Sequence, residues 1–366
     1  MAISTVGASG LNSAVSQIGK NIIINGSHEV AQRGAAVTGM GAASSYTQVD
    51  MWHIIASGTA GRVTGSQVAG PLAATGHAKA VKIDCTTADG SVASGDIMSL
   101  RTTVEAQNLQ QLQWGNATAK SVTLSFWMKS PKSGTHCVSI YQEDDGRFFI
   151  KEFTIASADT YEYFAITFPG DTGGTIDTNN GPGIRIDWPL ICGSGEAGAA
   201  GAWTSGGKFA TSNQQNLLDS TDNNVELAGV QLELGTVATD FEHEPVSVTL
   251  AKCQRYLFRI NQPASSYEAI GSGFARTATQ CIISMHMDVP MRVEGTLSAG
   301  GTLADIDNRH AADDEDTTAL SSYAPGTGVY LMAITIGAGN FTVGEGVVSW
   351  IKGGSNSTFI QVTSEL

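Results

Sequence analysis

From residue 21 onward, apolar side chains recur at every second position. In the stretch SVTLSFWMKS, Val122, Leu124, Phe126 and Met128 share one phase, while Ser121, Thr123, Ser125 and Trp127 share the other. A strand turns successive side chains to opposite faces, so this segment predicts a strand with one strongly apolar face. YEYFAITFPG places Phe164, Ile166 and Phe168 together, and GIRIDWPLI does the same for Ile184, Ile186, Trp188 and Leu190. Runs rich in Gly, Asn and Ser separate them, such as DTGGTIDTNNGPG, GSGEAGAAGA and DSTDNN. Strands at this spacing, with no strand–helix rhythm, predict an all-β fold built from two-sheet sandwiches.

Several segments refine that pattern. In NVELAGVQLELG, Val225 and Leu227 lie in one phase and Val230, Leu232 and Leu234 in the other, which predicts a β-bulge at Ala228-Gly229. NIIING reads as a first core strand and its turn, with Ile22 and Ile24 buried on one face. Before it, Leu11, Val15 and Ile18 recur at helical spacing, so residues 1–20 read as an arm for attachment or oligomerisation, too short to hold a helix by itself. Pro245 and the weak helical spacing after it mark a boundary, giving a domain over 21–246 and a smaller one over 247–366. In the latter, CIISMHMDVPMRV turns Cys281, Ile283, Met285, Met287 and Val289 inward. The polar, acidic LADIDNRHAADDEDTTALSS reads as a long exposed loop.

Composition narrows the class. At 366 residues there is material for two cores. Charged residues are 15%, and 43 glycines are far more than an average chain carries. The net charge of −14 argues against a nucleic-acid surface, which needs clustered Lys and Arg. The five cysteines are scattered, without CxxC or CxxH pairing, and read as buried free thiols of a protein folded in a reducing cytoplasm. No apolar run approaches the roughly 18 residues that span a bilayer, and no basic-then-apolar leader is visible, so neither membrane insertion nor secretory export is expected. A virion component, made in a host cytoplasm and released by lysis, reconciles this cytoplasmic signature with an extracellular-looking β-composition.

Six motifs in order carry a resemblance: NIIINGSHEVAQRG, VDMW, LSFWMKS, LAGVQLELGTVATDFEH, LAKCQRYL and DVPMRV, ahead of a terminal SEL. Together they resemble bacteriophage tail-fibre and virion-appendage proteins with a carbohydrate-binding-module-like jelly roll and a small C-terminal β-domain. The match runs over roughly residues 20 to 366, without the intervening loops. Leu257 stands where the pattern has a second aromatic, and Ser27-His28 replace its acidic–aromatic pair. The resemblance implies a jelly-roll β-sandwich followed by a smaller β-sandwich domain after a short N-terminal arm. It also implies a structural calcium near the first and last strands, for which Glu29 and Glu226 match by position.

Sugar binding needs aromatic platforms flanked by amides and carboxylates. Trp203, near Asn213, Gln214 and Gln215, Trp127 on the polar side of its strand, and Trp114 in QWGN are the candidates; buried core positions are the competing reading. For catalysis, Glu143, Asp144 and Asp145 cluster in a hairpin turn. His53, His77, His136, His243, His286 and His310 are scattered, so no catalytic residue is nominated. Asp305, Asp307, Asp313, Asp314 and Asp316 lack the Gly and terminal Glu of a calcium loop. The sequence thus leads to a non-enzymatic virion protein: a tail fibre or appendage, homotrimeric, binding host surface glycans and other virion proteins. A head fibre or capsid-decorating protein is the alternative, and a polysaccharide depolymerase a third.

Overall fold

The structure, a computed structural model, describes residues 19–311, 313–354 and 357–366. The expected N-terminal arm lies outside the described residues apart from Gly19 and Lys20. The chain divides into two compact units. The first takes the chain through Ala31 and then Ala35–Pro245, and the second takes Gln32–Gly34 and Val246–Leu366.

The strands of the first unit begin with β1 (Val37–Met40), β2 (Ser45–Tyr46), β3 (Trp52–Ser57), β4 (Arg62–Ala69), β5 (Lys79–Thr87) and β6 (Ile97–Glu105). They continue with β7 (Val122–Lys129), β8 (Gly134–Gln142), β9 (Arg147–Ile155), β10 (Glu162–Phe168), β11 (Pro182–Cys192), β12 (Thr204–Ser205) and β13 (Asn224–Leu234). One sheet has the order β1-β4-β5-β13-β7-β10 and the other β12-β9-β8-β11-β6-β3-β2. The predicted apolar phases meet between them. Phe126 of β7 lies 5.4 Å from Phe153 and 5.6 Å from Trp188 across the sandwich. All three rings are buried, and truncating such a side chain to alanine costs about 3–5 kcal/mol. The fold is all-β, consistent with a jelly-roll sandwich.

The bulge is present. Pairing of β13 with β7 runs Ala228↔Trp127 and then Gln231↔Ser125, so one extra residue sits on β13. Gly229 takes φ +56 there, and a Cβ would come within 2.2 Å of the His77 ring. Only glycine satisfies both the backbone and the space.

NIIING departs from expectation. It is a series of turns rather than a strand, and Ile23 is the buried isoleucine, with Ile22 and Ile24 only half-buried. The reason is asparagine chemistry, because side-chain amides offer the backbone partners that compete with a ladder. Asn21 Oδ1 accepts the N–H groups of Ile23 and Leu232, each at 3.1 Å. Asn25, at φ +56, donates to the carbonyls of Val30 and Asp50 at 2.9 Å. The segment is thereby clipped to β13, where Ile22 N–H also donates to Leu232 O at 2.8 Å.

In the second unit, helix α1 (Val246–Gln254) precedes β14 (Leu257–Asn261), β15 (Tyr267–Thr277), β16 (Gln280–His286), β17 (Thr296–Gly300) and β18 (Ile306–Arg309). After these come β19 (Asp314–Ala324), β20 (Val329–Ile336), β21 (Gly346–Lys352) and β22 (Phe359–Thr363). Strands β15-β16-β20-β19-β18-β21 close into a barrel, and β14-β22-β17 form a separate three-stranded sheet. One apolar core serves both, joining Met285, Tyr330 and Ile351 to Ile360 and Val362. The stretch expected as an exposed acidic loop instead contains β18 and most of β19. Its polar residues occupy outward barrel positions, and Asn308 is buried in a hydrogen-bonded set with Thr317 Oγ1 at 2.9 Å and Ser349 Oγ at 2.6 Å. Gln32–Gly34 belongs here too: Gln32 Nε2 donates to Leu257 O at 2.8 Å, and Arg33 Nη2 reaches both oxygens of Glu365 at 2.6 Å.

Candidate functional site

The sequence-nominated tryptophans have different fates. Trp114 is 6% exposed and donates its indole N–H to Lys120 O at 2.9 Å, so it is a core residue and no platform. Trp203 packs edge-on against Trp114 at 5.0 Å and Phe149 at 5.5 Å, donates to Pro169 O at 2.8 Å, and is half-buried. Trp127 is half-buried beside its cross-strand partner Tyr163, with ring centroids 5.2 Å apart, on the outer face of the six-stranded sheet.

Asn213 and Gln215 are not gathered around Trp203. Asn213 donates to Glu152 at 3.0 Å, and Gln215 N–H to Thr135 O at 3.0 Å, progressively farther along the β8–β9 hairpin from the Phe149 that Trp203 touches. Adjacency in sequence did not survive folding because the covering segment runs along the hairpin.

Glu226 is already committed. Its carboxylate lies 2.8 Å from Lys129 Nζ and accepts the Tyr161 hydroxyl at 2.6 Å. Burial, followed by that carboxylate, pushes the Tyr161 phenol above its ordinary value. An ammonium in the coordination sphere does not suit a calcium ion, so Glu226 does not fit the expected ligand role. Glu29 presents its backbone carbonyl to Gln67 Nε2 at 3.1 Å, and its side chain is half-buried. Among the described residues no three His, Cys, Asp or Glu side chains gather as a metal-holding group.

The hairpin carboxylates act as clamps. Asp145 accepts the N–H and hydroxyl of Thr175 at 2.6 and 2.9 Å, and these bonds hold its carboxyl below the usual range. Asp144 accepts Asp177 N–H at 2.9 Å. Both tie down the loop before β11.

The richest chemistry lies on the outward face of the seven-stranded sheet. Register places Tyr46, His53, Arg101, Asp187 and Ser139 in one row across β2, β3, β6, β11 and β8. Arg101 Nε and Nη2 donate to the two oxygens of Asp187 at 2.9 and 3.0 Å, and the pair is 9% and 1% exposed at the side chains. Phe209, from the segment that covers part of this face, lies 5.9 Å from the guanidinium. In the adjoining row Thr103, Arg185 and Tyr141 are opposite one another. Arg185 sits 5.5 Å from the Tyr141 ring and pairs with Glu143, both charged side chains remaining more than a quarter exposed. The buried pair fixes the floor, and at its rim Tyr141, half-buried against Cys137, Phe148, Ile150 and Ala210, lies beside the Arg185–Glu143 ion pair, which remains partly open to water although Glu143 Oε2 is buried. Glu143 and His53 were visible in the sequence, but Tyr141, Arg101, Arg185 and Asp187 were not singled out, although GIRIDWPLI contains the last two. The polar phase of that strand, Arg185 and Asp187, was the available signal.

A histidine group lies beside Trp52 and the β13 bulge. His28 is fully buried, 4.7 Å from Trp52, and neither ring nitrogen has a hydrogen-bond partner among the described residues. Burial, with His77 second, lowers its pKa to about 3. His77, stacked 5.6 Å from His243, is lowered to about 4 by burial and then by His243.

No protein-family profile matches the sequence, and no curated protein matches it. Solved structures that align include a family 11 carbohydrate-binding module from Clostridium thermocellum in complex with a mixed-linked tetrasaccharide, at 15% identity over 53% of this chain and 91% of that one, TM-score 0.28. The enzymatically active domain of tailspike protein 4 of bacteriophage CBA120 aligns at 11% identity over 59% of this chain, TM-score 0.27, and only 22% of that domain is spanned. A cyclase from Fischerella aligns at 12% identity over 55% of this chain and 92% of that one, TM-score 0.30. At these values the likenesses are distant and carry no argument about ligand or role.

Proposed function

We propose that the protein is a non-enzymatic structural component of a bacteriophage particle, a tail fibre or appendage that binds host surface glycan through the outward face of its seven-stranded sheet. The observation that carries this reading is Tyr141 flanked by Arg185 and Glu143 above the rigid Arg101–Asp187 pair. A pyranose stacks its C–H face on an aromatic ring and uses each hydroxyl as both donor and acceptor, which an adjacent arginine and carboxylate satisfy. Weak single sites of this kind gain avidity when several copies engage together, which suits a homotrimer. The motif order from NIIING to DVPMRV supports the assignment to a virion.

A glycan array probed with the purified protein tests the binding, with Tyr141→Ala and Arg185→Ala as controls. Binding unaffected by both substitutions would sink the assignment of the face. Immunogold labelling of intact particles tests the location: label at the tail supports the fibre, and label confined to the capsid replaces it with a head fibre or decoration protein. Release of new reducing ends from host polysaccharide would turn the reading to a depolymerase.

A further inference from the structure

The barrel of the second unit carries a groove of about 590 Å3 on its outer surface, within the range of small-ligand sites. Register builds it. Tyr267 of β15 is opposite Lys352 of β21, while Asp316 of β19, Asp307 of β18 and Trp350 of β21 are opposite one another in sequence across the wall. Ile306 and Asn308 point inward, which turns Asp307 outward between them.

The walls divide into an apolar and a polar part. Tyr267 is 64% exposed and stands edge-on to Trp350 at 5.5 Å, so the ring is presented to solvent yet steadied from one side. The Trp350 indole nitrogen is buried without a hydrogen-bond partner among the described residues. Opposite the aromatics, Lys352 Nζ lies 2.8 Å from Asp307 Oδ1 and 2.8 Å from Asp316 Oδ1. Asp307 is 7% exposed at its side chain, whereas Asp316 is open to water. The result is an acceptor–donor–acceptor row held by its own ion pairs, with an aromatic ring beside it.

We infer that this groove is a saccharide-binding site that takes a neutral pyranoside, with the sugar's C–H face on Tyr267 and vicinal hydroxyls bridging Lys352 and Asp316. The chemistry excludes neighbouring classes of ligand. An acidic sugar meets four carboxylates, Asp307, Asp314, Glu315 and Asp316, against the single lysine of the groove. A metal cation meets the Lys352 ammonium where it would have to sit. A purely apolar ligand would strip water from charged groups without replacing their hydrogen bonds. Neutral hydroxyls, each donating and accepting, complete the row at no electrostatic cost. The site is independent of the face proposed on the first unit and stands or falls separately.

Fluorine NMR of the full chain with fluorotyrosine incorporated isolates this groove, because the Tyr267 resonance is identified by its loss in Tyr267→Phe. The probes are methyl α-D-glucopyranoside, methyl α-D-mannopyranoside, methyl β-D-galactopyranoside and, as the charged control, methyl β-D-glucuronide. The expected result is a saturable shift of the Tyr267 resonance with at least one neutral glycoside and none with the glucuronide. In Asp316→Asn, an exposed substitution that leaves the fold intact, the same titration saturates at about tenfold higher concentration, the loss of one charge-assisted hydrogen bond. Absence of any saturable shift overturns the proposal. So does an equal shift with the glucuronide, or one unchanged in Asp316→Asn.

Discussion

Arg101 on β6 and Asp187 on β11 face each other in register and share two parallel N–H···O bonds of 2.9 and 3.0 Å, with almost none of either side chain open to water. Such a pair stabilises only while both members are present, because removing one strands the other charge away from solvent. Asp187→Ala is therefore expected to cost about 3–5 kcal/mol of unfolding free energy in urea titration. The double substitution Arg101→Met with Asp187→Leu should recover most of that loss. A single substitution costing less than about 1 kcal/mol would show the pair to be surface-like.

Acid should weaken the first unit through His28. The folded protein holds this ring neutral down to about pH 3, whereas in the unfolded chain it takes up a proton near its ordinary 6.5. Protons therefore bind the unfolded state first as pH falls. Stability drains from about pH 6.5 toward 3 and levels off once the folded ring also protonates. At pH 5 the loss from this one group is about 2 kcal/mol. His77, lowered to about 4, acts in the same direction. His28→Phe, which keeps a ring against Trp52, should flatten the fall in midpoint between pH 7 and pH 5 measured by chemical denaturation.

Gly229 has no tolerated substitute. Alanine there must hold φ +56 and push the His77 ring from a contact of 2.2 Å, so Gly229→Ala is expected to cost about 2–4 kcal/mol. Differential scanning calorimetry reads this directly, and a melting temperature equal to the parent would refute the bulge argument.

Glu226→Gln separates an ion pair from a metal ligand. Losing the partly exposed Lys129 contact should cost only about 1 kcal/mol or less, by an amount that calcium or a chelator does not alter. A melting temperature that rises with calcium in the parent and not in the variant would restore the metal role.

What could be read beforehand follows from what each residue decides locally. The inward phases of β7, β11 and β16 were legible because Phe126, Trp188 and Met285 need only their own strand's alternation to be placed. The bulge was legible for the same reason, since a phase break is a local event. NIIING was not: three isoleucines signal a strand, but Asn21 and Asn25 bind groups on β13 and near Asp50 that the local sequence does not reveal. The region around β18 and β19 failed because a barrel strand with a polar outer phase and a buried Asn308 has the composition of a loop. The outward face was hardest of all. His53, Arg101, Asp187 and Ser139 come from four strands, and only the order β8-β11-β6-β3 makes them neighbours. Trp114 looked like a platform because exposure is a property of the packed core and not of the motif QWGN.

The passage of Gln32–Gly34 into the second unit has an evolutionary corollary. The chain contributes three residues there and then returns to Ala35, long before it crosses again at Val246. The C-terminal unit is thus not a self-contained cassette. Recombination that exchanged everything after Pro245 would deliver a newcomer whose counterparts of Glu365 and Leu257 must accept an arginine and a glutamine already fixed in the recipient at positions 33 and 32. Exchange should succeed best where the incoming module offers partners to Gln32 and Arg33, so these two residues act as a compatibility tag written more than two hundred positions away from the module they serve.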